Sequence, residues 1–379
     1  MISLSKLLTG EATVSKELLY GGDSSFIPKR LIDFSKSMKP IVVWNITRRC
    51  NLKCVHCYAD SHNDIELKTE ECLEIIDKLS SFKVPIILFS GGEPLLRKDL
   101  IDIAEYAKKN GIKCVLSTNG TLIDRDLAES LKDVFDYVGV SLDGMKAVND
   151  KFRGVKGAFD SAVRGLRIAR DSGILTGIRF TITKYNSHEL HKVLEFAYTE
   201  EIPRFCVYHL VPSGRAGFKD DINNLERRKL VDYLINEAEK REGIEILTVD
   251  NPADGVYLYL KLKSLDEEVA LKALEFLKYR GGDGTGVRLI NIDHMGFLHP
   301  NQFWWDYNLG NLLKVDFDEI WFNNELLRKL RNKEKYLRGK CGMCKFKSIC
   351  GGFRVRAYRY GDLWGEDPSC YLEIREIIS

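Results

Sequence analysis

The chain has no apolar run long enough to cross a bilayer as a helix, and its first residues lack a basic segment followed by a hydrophobic one. Neither a spanning helix nor a secretory signal is expected, so the reading is a cytoplasmic protein with no membrane partner. Charge of one sign is also scarce. Lys and Arg number 57 against 55 Asp and Glu, a net charge of +2, and no stretch combines clustered cations with interleaved aromatics. No nucleic-acid partner is expected, and the ligand should be a small or medium-sized molecule. What the chain does have is bulk and sulfur. Its 379 residues, 44% hydrophobic, suffice for one barrel-sized domain and a smaller one. Ten cysteines in a reducing compartment argue for metal binding rather than disulfides. Cys72, Cys114 and Cys206 stand alone within helix or strand patterns and are assigned to packing.

From residue 40 to about 212, β-rich apolar runs alternate with amphipathic segments. Strands are expected at 41–46, 85–89, 113–117, 137–142, 176–182 and 205–211. Helices are expected between them at 68–82, 98–109, 124–132, 158–171 and 187–198. Parallel neighbours need crossover connections, so this alternation implies an α/β fold with a helix-covered parallel sheet. Six such units are too few to close an eight-stranded barrel. Further on, 225–241 and 266–277 read as amphipathic helices, the glycine-rich run Gly281 to Gly286 as a flexible connector, and 287–299 as a hairpin. The boundaries expected are an N-terminal extension over 1–39, the barrel over 40–240, a helical connector over 241–285 and a C-terminal domain over 286–379.

Cys50, Cys54 and Cys57 follow the first strand with the spacing C-x3-C-x2-C. Three thiolates hold three irons of a four-iron cluster whose full protein set is four, leaving one iron open for chemistry. A structural metal site is the alternative, but zinc sites use paired C-x2-C halves and no second pair lies near residue 57. A second group, Cys341-x2-Cys344-x5-Cys350 with Cys370, offers four thiolates, enough for a closed cluster or a tetrahedral zinc.

The stretch Asn45 to Tyr58 resembles the radical S-adenosylmethionine (SAM) enzymes. In that family SAM chelates the open iron and is cleaved by one electron to a deoxyadenosyl radical. His56 stands where the family usually has another aromatic ring. The resemblance implies a partial (β/α)6 barrel with its site at the C-terminal ends of the strands. It also implies a SAM site built from Gly91, Gly92, Glu93 and Pro94 after strand two and Asn119 after strand three. Ser141 and Asp143 after strand four would meet the ribose hydroxyls. Arg153 and Arg179 are candidates for the SAM carboxylate, with an ordinary salt bridge as the alternative for each. The C-terminal cysteines resemble the SPASM/twitch extension, which turns the second group into one auxiliary 4Fe-4S cluster. Residues 281–304 lack the cysteines that would supply another.

Strings that include Leu210 to Arg215, His299 to Trp304, Phe353 to Ala357 and Asp367 to Tyr371 are similar to the heme-biosynthesis branch of the superfamily, as is Ile2 to Leu8. The implied reaction removes acetate side chains from didecarboxysiroheme, giving iron-coproporphyrin III, with an electron donor such as ferredoxin or flavodoxin. Iron-coproporphyrin decarboxylation, d-type heme synthesis, peptide maturation and a non-catalytic iron-sulfur protein remain as alternatives. A flat disc rimmed with carboxylates needs aromatic walls and cations. Phe303, Trp304 and Trp305 are candidates for the first, and Arg215, Arg354 and Arg356 for the second. His209 and His299 are candidates to ligate substrate iron or move protons.

Overall fold

The computed structural model describes residues 1–11, 39–60 and 65–378. Its framework is one eleven-stranded sheet in the order β1-β8-β7-β6-β5-β4-β3-β2-β9-β10-β11. Seven strands form the parallel body: β2 (Ile41–Thr47), β3 (Ile86–Gly91), β4 (Lys113–Thr118), β5 (Tyr137–Ser141), β6 (Thr176–Ile182), β7 (Arg204–His209) and β8 (Glu245–Val249). Because helices cover the sheet, alternate strand residues such as Val42, Trp44 and Ile46 are fully buried beneath them, and Trp44 stacks on Phe89 at 6.1 Å. The polar residues Asn45 and Thr47 alternate with these along β2, and the β2/β3 register shifts between them.

The crossover helices fall close to their expected bounds, at Thr69–Ser81, Leu100–Lys109, Arg125–Val134, Ala158–Asp171 and Leu190–Thr199. Local chemistry fixes their ends. Asp124 accepts a hydrogen bond from the Leu127 backbone N–H, and Asn223 and Glu226 form a reciprocal cap on the helix Asn224–Lys240.

Two parts of the expected layout change. Residues 241–285 do not form a purely helical connector: Glu245–Val249 adds the seventh parallel strand, followed by helices Ala253–Leu265 and Glu267–Arg280. The expected C-terminal hairpin forms, as β9 (Leu289–Ile292) with β10 (Phe297–His299), and it continues the main sheet. β9 pairs in parallel with β2, and β10 pairs with β11 (Gly310–Asn311). At the other edge β1 (Ile2–Ser3) pairs antiparallel with β8. The N-terminal extension is therefore partly built into the sheet, while its residues 12–38 lie outside the described set. Among the described residues no helix is long and apolar enough to cross a membrane.

Candidate functional site

All seven parallel strands point their C-terminal ends at one open-mouthed cavity with about 960 Å³ of empty space, part of it open solvent. Cys50, Cys54 and Cys57 line it, as do Gly91, Gly92, Asn119, Ser141, Arg153 and Arg179. The sequence motifs thus meet in space although they are spread over about a hundred and thirty residues (Cys50 to Arg179).

Backbone contacts clamp the cysteine loop on both sides. Lys53 and Val55 donate N–H bonds to the carbonyls of Arg153 and Phe152, and Arg215 donates one to Cys57. Gly214, with φ +59°, leaves no room for a side chain, since a Cβ there would lie 2.2 Å from the Cys57 oxygen. From the third side Gly92 approaches so closely that a Cβ would meet the Arg49 oxygen at 2.2 Å. The glycine expected to admit a ligand therefore also admits the backbone of the cysteine loop.

The three sulfurs suit a cluster. All three cysteines line the one cavity, where one thiolate per iron would need them. Leu52 N–H donates to Cys50 Sγ at 3.4 Å and Arg153 Nη1 to Cys54 Sγ at 3.5 Å, contacts that favour sulfur in its anionic form. Burial pushes the Cys50 thiol up to about 12, and raises Cys54 as well despite Arg153. Ionised sulfurs here need cationic metal close by.

Glu93 is fully buried, and its carboxylate accepts bonds from the Leu95 N–H, the Thr118 hydroxyl and the Asn119 N–H. It staples the loop after β3 to the end of β4. Pro94 opens the 3-10 turn Pro94–Leu96. Asn119 donates to Asn51 Oδ1 at 2.8 Å, tying its loop to the cysteine motif. The His56 ring stacks on Phe152 at 4.6 Å, so the variant position still presents a flat ring.

Several expected roles are redirected. Asp143 does not present a free carboxylate to a ribose: it is completely buried, ion-paired with Arg153, and accepts the Thr181 N–H. Arg153 is thereby fixed between Asp143 and Cys54, whereas the Arg179 guanidinium lies 4.5 Å over the Tyr208 ring. His209 is corrected from proton carrier to structural link. Arg227 donates to its Nδ1 at 2.7 Å, which leaves Nε2–H to donate to Asp254 at 2.8 Å, so both ring nitrogens are committed. Arg215 turns to Asp60 and the Cys54 carbonyl, holding the cysteine loop instead of lining the cavity. Arg354 and Arg356 are completely buried, as structural residues are, and His299 lies between the Tyr307 carbonyl and Asp293. Trp304 is core, packed 4.5 Å from Tyr358, while Phe303 lines the cavity.

The His209 link carries a pH prediction. Burial alone would raise the Asp254 carboxyl, but His209 and its hydrogen bond bring it below the ordinary value. A depressed carboxyl contributes stability present above its unfolded value, about 3.9, and lost as pH falls through the folded one. His209→Gln should therefore move the acid-unfolding midpoint upward, as followed by circular dichroism. An unchanged midpoint contradicts the link.

Cys341, Cys344, Cys350 and Cys370 come together around a second, smaller void, also lined by Lys340 and Lys347. The N–H groups of Phe346 and Gly352 and Arg354 Nη2 donate to Cys344, Cys350 and Cys341 sulfurs at 3.4, 3.4 and 3.5 Å. Residues missed in the sequence also line the first cavity, among them Tyr58, Thr181, Tyr208, Asp250 and Gln302. Tyr58 had a signal, since it adjoins Cys57. Asp250 had one too, because it ends an apolar run.

A profile of the radical SAM superfamily matches residues 44–197. Fe-coproporphyrin III synthase of Methanosarcina barkeri is 46% identical over 100% of this chain and 99% of its own length. Pre-heme d1 synthase of Dinoroseobacter shibae is 40% identical, covering 89% of this chain and 87% of itself. An AdoMet-dependent heme synthase of M. barkeri is 33% identical over 87% and 95%. Among solved structures, Streptococcus suis SuiB bound to S-adenosylmethionine has a TM-score of 0.72 at 20% identity, covering 91% of this chain and 81% of that one. The anSMEcpe protein with bound AdoMet has 0.68 at 19%, covering 87% and 94%. These two likenesses speak to the fold. The end-to-end identity, with the cysteine loop standing over a parallel sheet, makes the chain a radical SAM enzyme, in the branch that holds Fe-coproporphyrin III synthase, pre-heme d1 synthase and the AdoMet-dependent heme synthases.

Proposed function

We propose that this enzyme removes acetate side chains from didecarboxysiroheme to give iron-coproporphyrin III. The reading rests on the end-to-end likeness to Fe-coproporphyrin III synthase, together with a cavity that joins the cysteine loop to Gln302 and Phe303 of the C-terminal region. Cys50, Cys54 and Cys57 would hold a 4Fe-4S cluster, and Gly91, Gly92, Asn119 and Ser141 would line SAM, with the buried Glu93 and Pro94 shaping the loop behind them and not touching the ligand. When bound, these two cofactors supply a 5'-deoxyadenosyl radical that takes a hydrogen atom from the tetrapyrrole's side chain. Arg153 and Arg179 offer guanidinium groups at the SAM end of the cavity, and Asp143 acts through Arg153 as its positioning partner. Phe303 and Tyr58, packed edge to face at 5.1 Å, supply aromatic wall beside the sulfurs. Cys341, Cys344, Cys350 and Cys370 hold an auxiliary 4Fe-4S cluster whose sulfurs receive the donors described above. The enzyme works in the cytoplasm with an electron donor such as ferredoxin or flavodoxin.

The deciding experiment incubates anaerobically reconstituted, reduced enzyme with SAM and didecarboxysiroheme and weighs the porphyrin products. Masses lower by the lost acetate groups, formed together with 5'-deoxyadenosine, are expected. Unaltered tetrapyrrole while SAM is consumed would assign a different substrate.

A further inference from the structure

Arg179 lines the cavity half-buried, and its side chain enters no hydrogen bond or ion pair among the described residues. Its nitrogens are not among the atoms sealed from solvent, so the edge of the guanidinium is open to the cavity. The groups around it leave its charge uncompensated. Those that act on it most strongly are Tyr208, Cys206, Tyr137 and Tyr58, three phenols and a thiol. Asp143 and Asp250 feel its field as well, but Asp143 is paired with Arg153, and neither forms an ion pair with Arg179. A partly desolvated cation without a counter-ion is costly unless a ligand supplies one.

The wall is shaped to hold this side chain where it is. Arg179 stands on β6 opposite Ser141 of β5. Its stem lies across Gly139, where a Cβ would come within 2.7 Å of the Arg179 Cδ and 3.2 Å of its Cγ. The guanidinium rests 4.5 Å over the Tyr208 ring, a stacking that fixes its plane and leaves its edge donors for a two-point pairing with a carboxylate. Arg153 is placed differently. It meets Cys54 Sγ at 3.5 Å, beside the iron that SAM would chelate, and it is already shared with Asp143.

A side chain that gives up a hydrogen atom in this cavity must lie in contact with SAM, and on the proposed substrate that side chain is an acetate, itself a carboxylate. We propose that Arg179 is the substrate-binding residue that grips the acetate arm about to be removed, and so selects which arm of the tetrapyrrole meets the radical. The proposal rests on the deacetylation reading and names a contact within it.

The test titrates reconstituted full-length protein, wild type and Arg179→Gln, with didecarboxysiroheme, which carries the acetate arms, with iron-coproporphyrin III, which lacks them, and with SAM. Absorbance follows the two tetrapyrroles and calorimetry follows SAM. Arg179→Gln should bind didecarboxysiroheme about ten- to a hundredfold more weakly, the loss of a hydrogen-bonded charge, and should bind iron-coproporphyrin III and SAM as the wild type does. Arg179→Lys, which keeps the charge and loses the planar fork, should recover part of the loss. Removing a cation that has no partner should leave the urea midpoint at or above the wild-type value, and a clear drop would reveal a partner within the protein and overturn the proposal. Equal didecarboxysiroheme affinity in wild type and Arg179→Gln would also overturn it. So would a parallel loss for iron-coproporphyrin III, which would assign Arg179 to a propionate, or a loss for SAM, which would assign it to the cofactor. Wild-type protein that binds SAM and fails to bind didecarboxysiroheme would sink the deacetylation reading, and this proposal with it.

Discussion

Replacing Cys54 with alanine should stop 5'-deoxyadenosine formation, lowering it at least about a thousandfold, and should reduce bound iron from about eight atoms per chain to about four. The loop should survive the change. Its position depends on backbone bonds from Lys53, Val55 and Arg215 and on the close approach of Gly92 and Gly214, none of which involves the Cys54 sulfur. Cys341, Cys344, Cys350 and Cys370 surround a different void, so their iron should remain. Iron analysis and chromatography of the nucleoside products read the two effects separately. Undiminished SAM cleavage in this variant would remove the chemistry from the first cysteine group.

Arg356→Leu should cost about 3–5 kcal/mol of stability, because it leaves a buried carboxylate without its cation. Arg356 and Asp367 are both fully buried and joined at 3.2 and 3.3 Å, while the same guanidinium donates to the Leu210 and Asp250 carbonyls. One side chain therefore ties the C-terminal region to the ends of two barrel strands. Burial alone would raise the Asp367 carboxyl. Arg356, followed by the Phe353 N–H, brings it below the ordinary value. The sign follows: the pairing contributes stability above the unfolded value of about 3.9 and loses it as pH falls, so the variant's deficit should shrink in acid. Urea titrations at neutral and low pH measure both. A neutral-pH loss below about 1 kcal/mol would show that the link does not carry load.

The alternation of strands and helices up to residue 212 was legible because each unit keeps its own periodicity, two for strands and 3.6 for helices. The stretch after residue 240 was not. Glu245–Val249 is short and follows a highly charged helix, and in Tyr257-Leu-Tyr-Leu-Lys-Leu262 apolar and polar-tipped side chains alternate as in a strand although the segment is helical. At the site, spacing revealed which residues meet the cavity wherever a motif carried them, as with Cys50, Gly92 and Asn119. Direction and partnership were hidden. The carboxylate that takes up His209 comes from Asp254, forty-five residues on, and the carbonyl that receives Arg356 from Leu210, 146 residues back. A single sequence names such groups and does not say whom they face.

The parallel pairing of Ile41–Trp44 with Leu289–Ile292 has a consequence for how a guest reaches the cavity. The strand leading into the first cysteine group and the strand that opens the C-terminal region are rungs of one ladder, held at the spacing of backbone hydrogen bonds. A bulky guest cannot enter by parting these two strands without breaking that ladder.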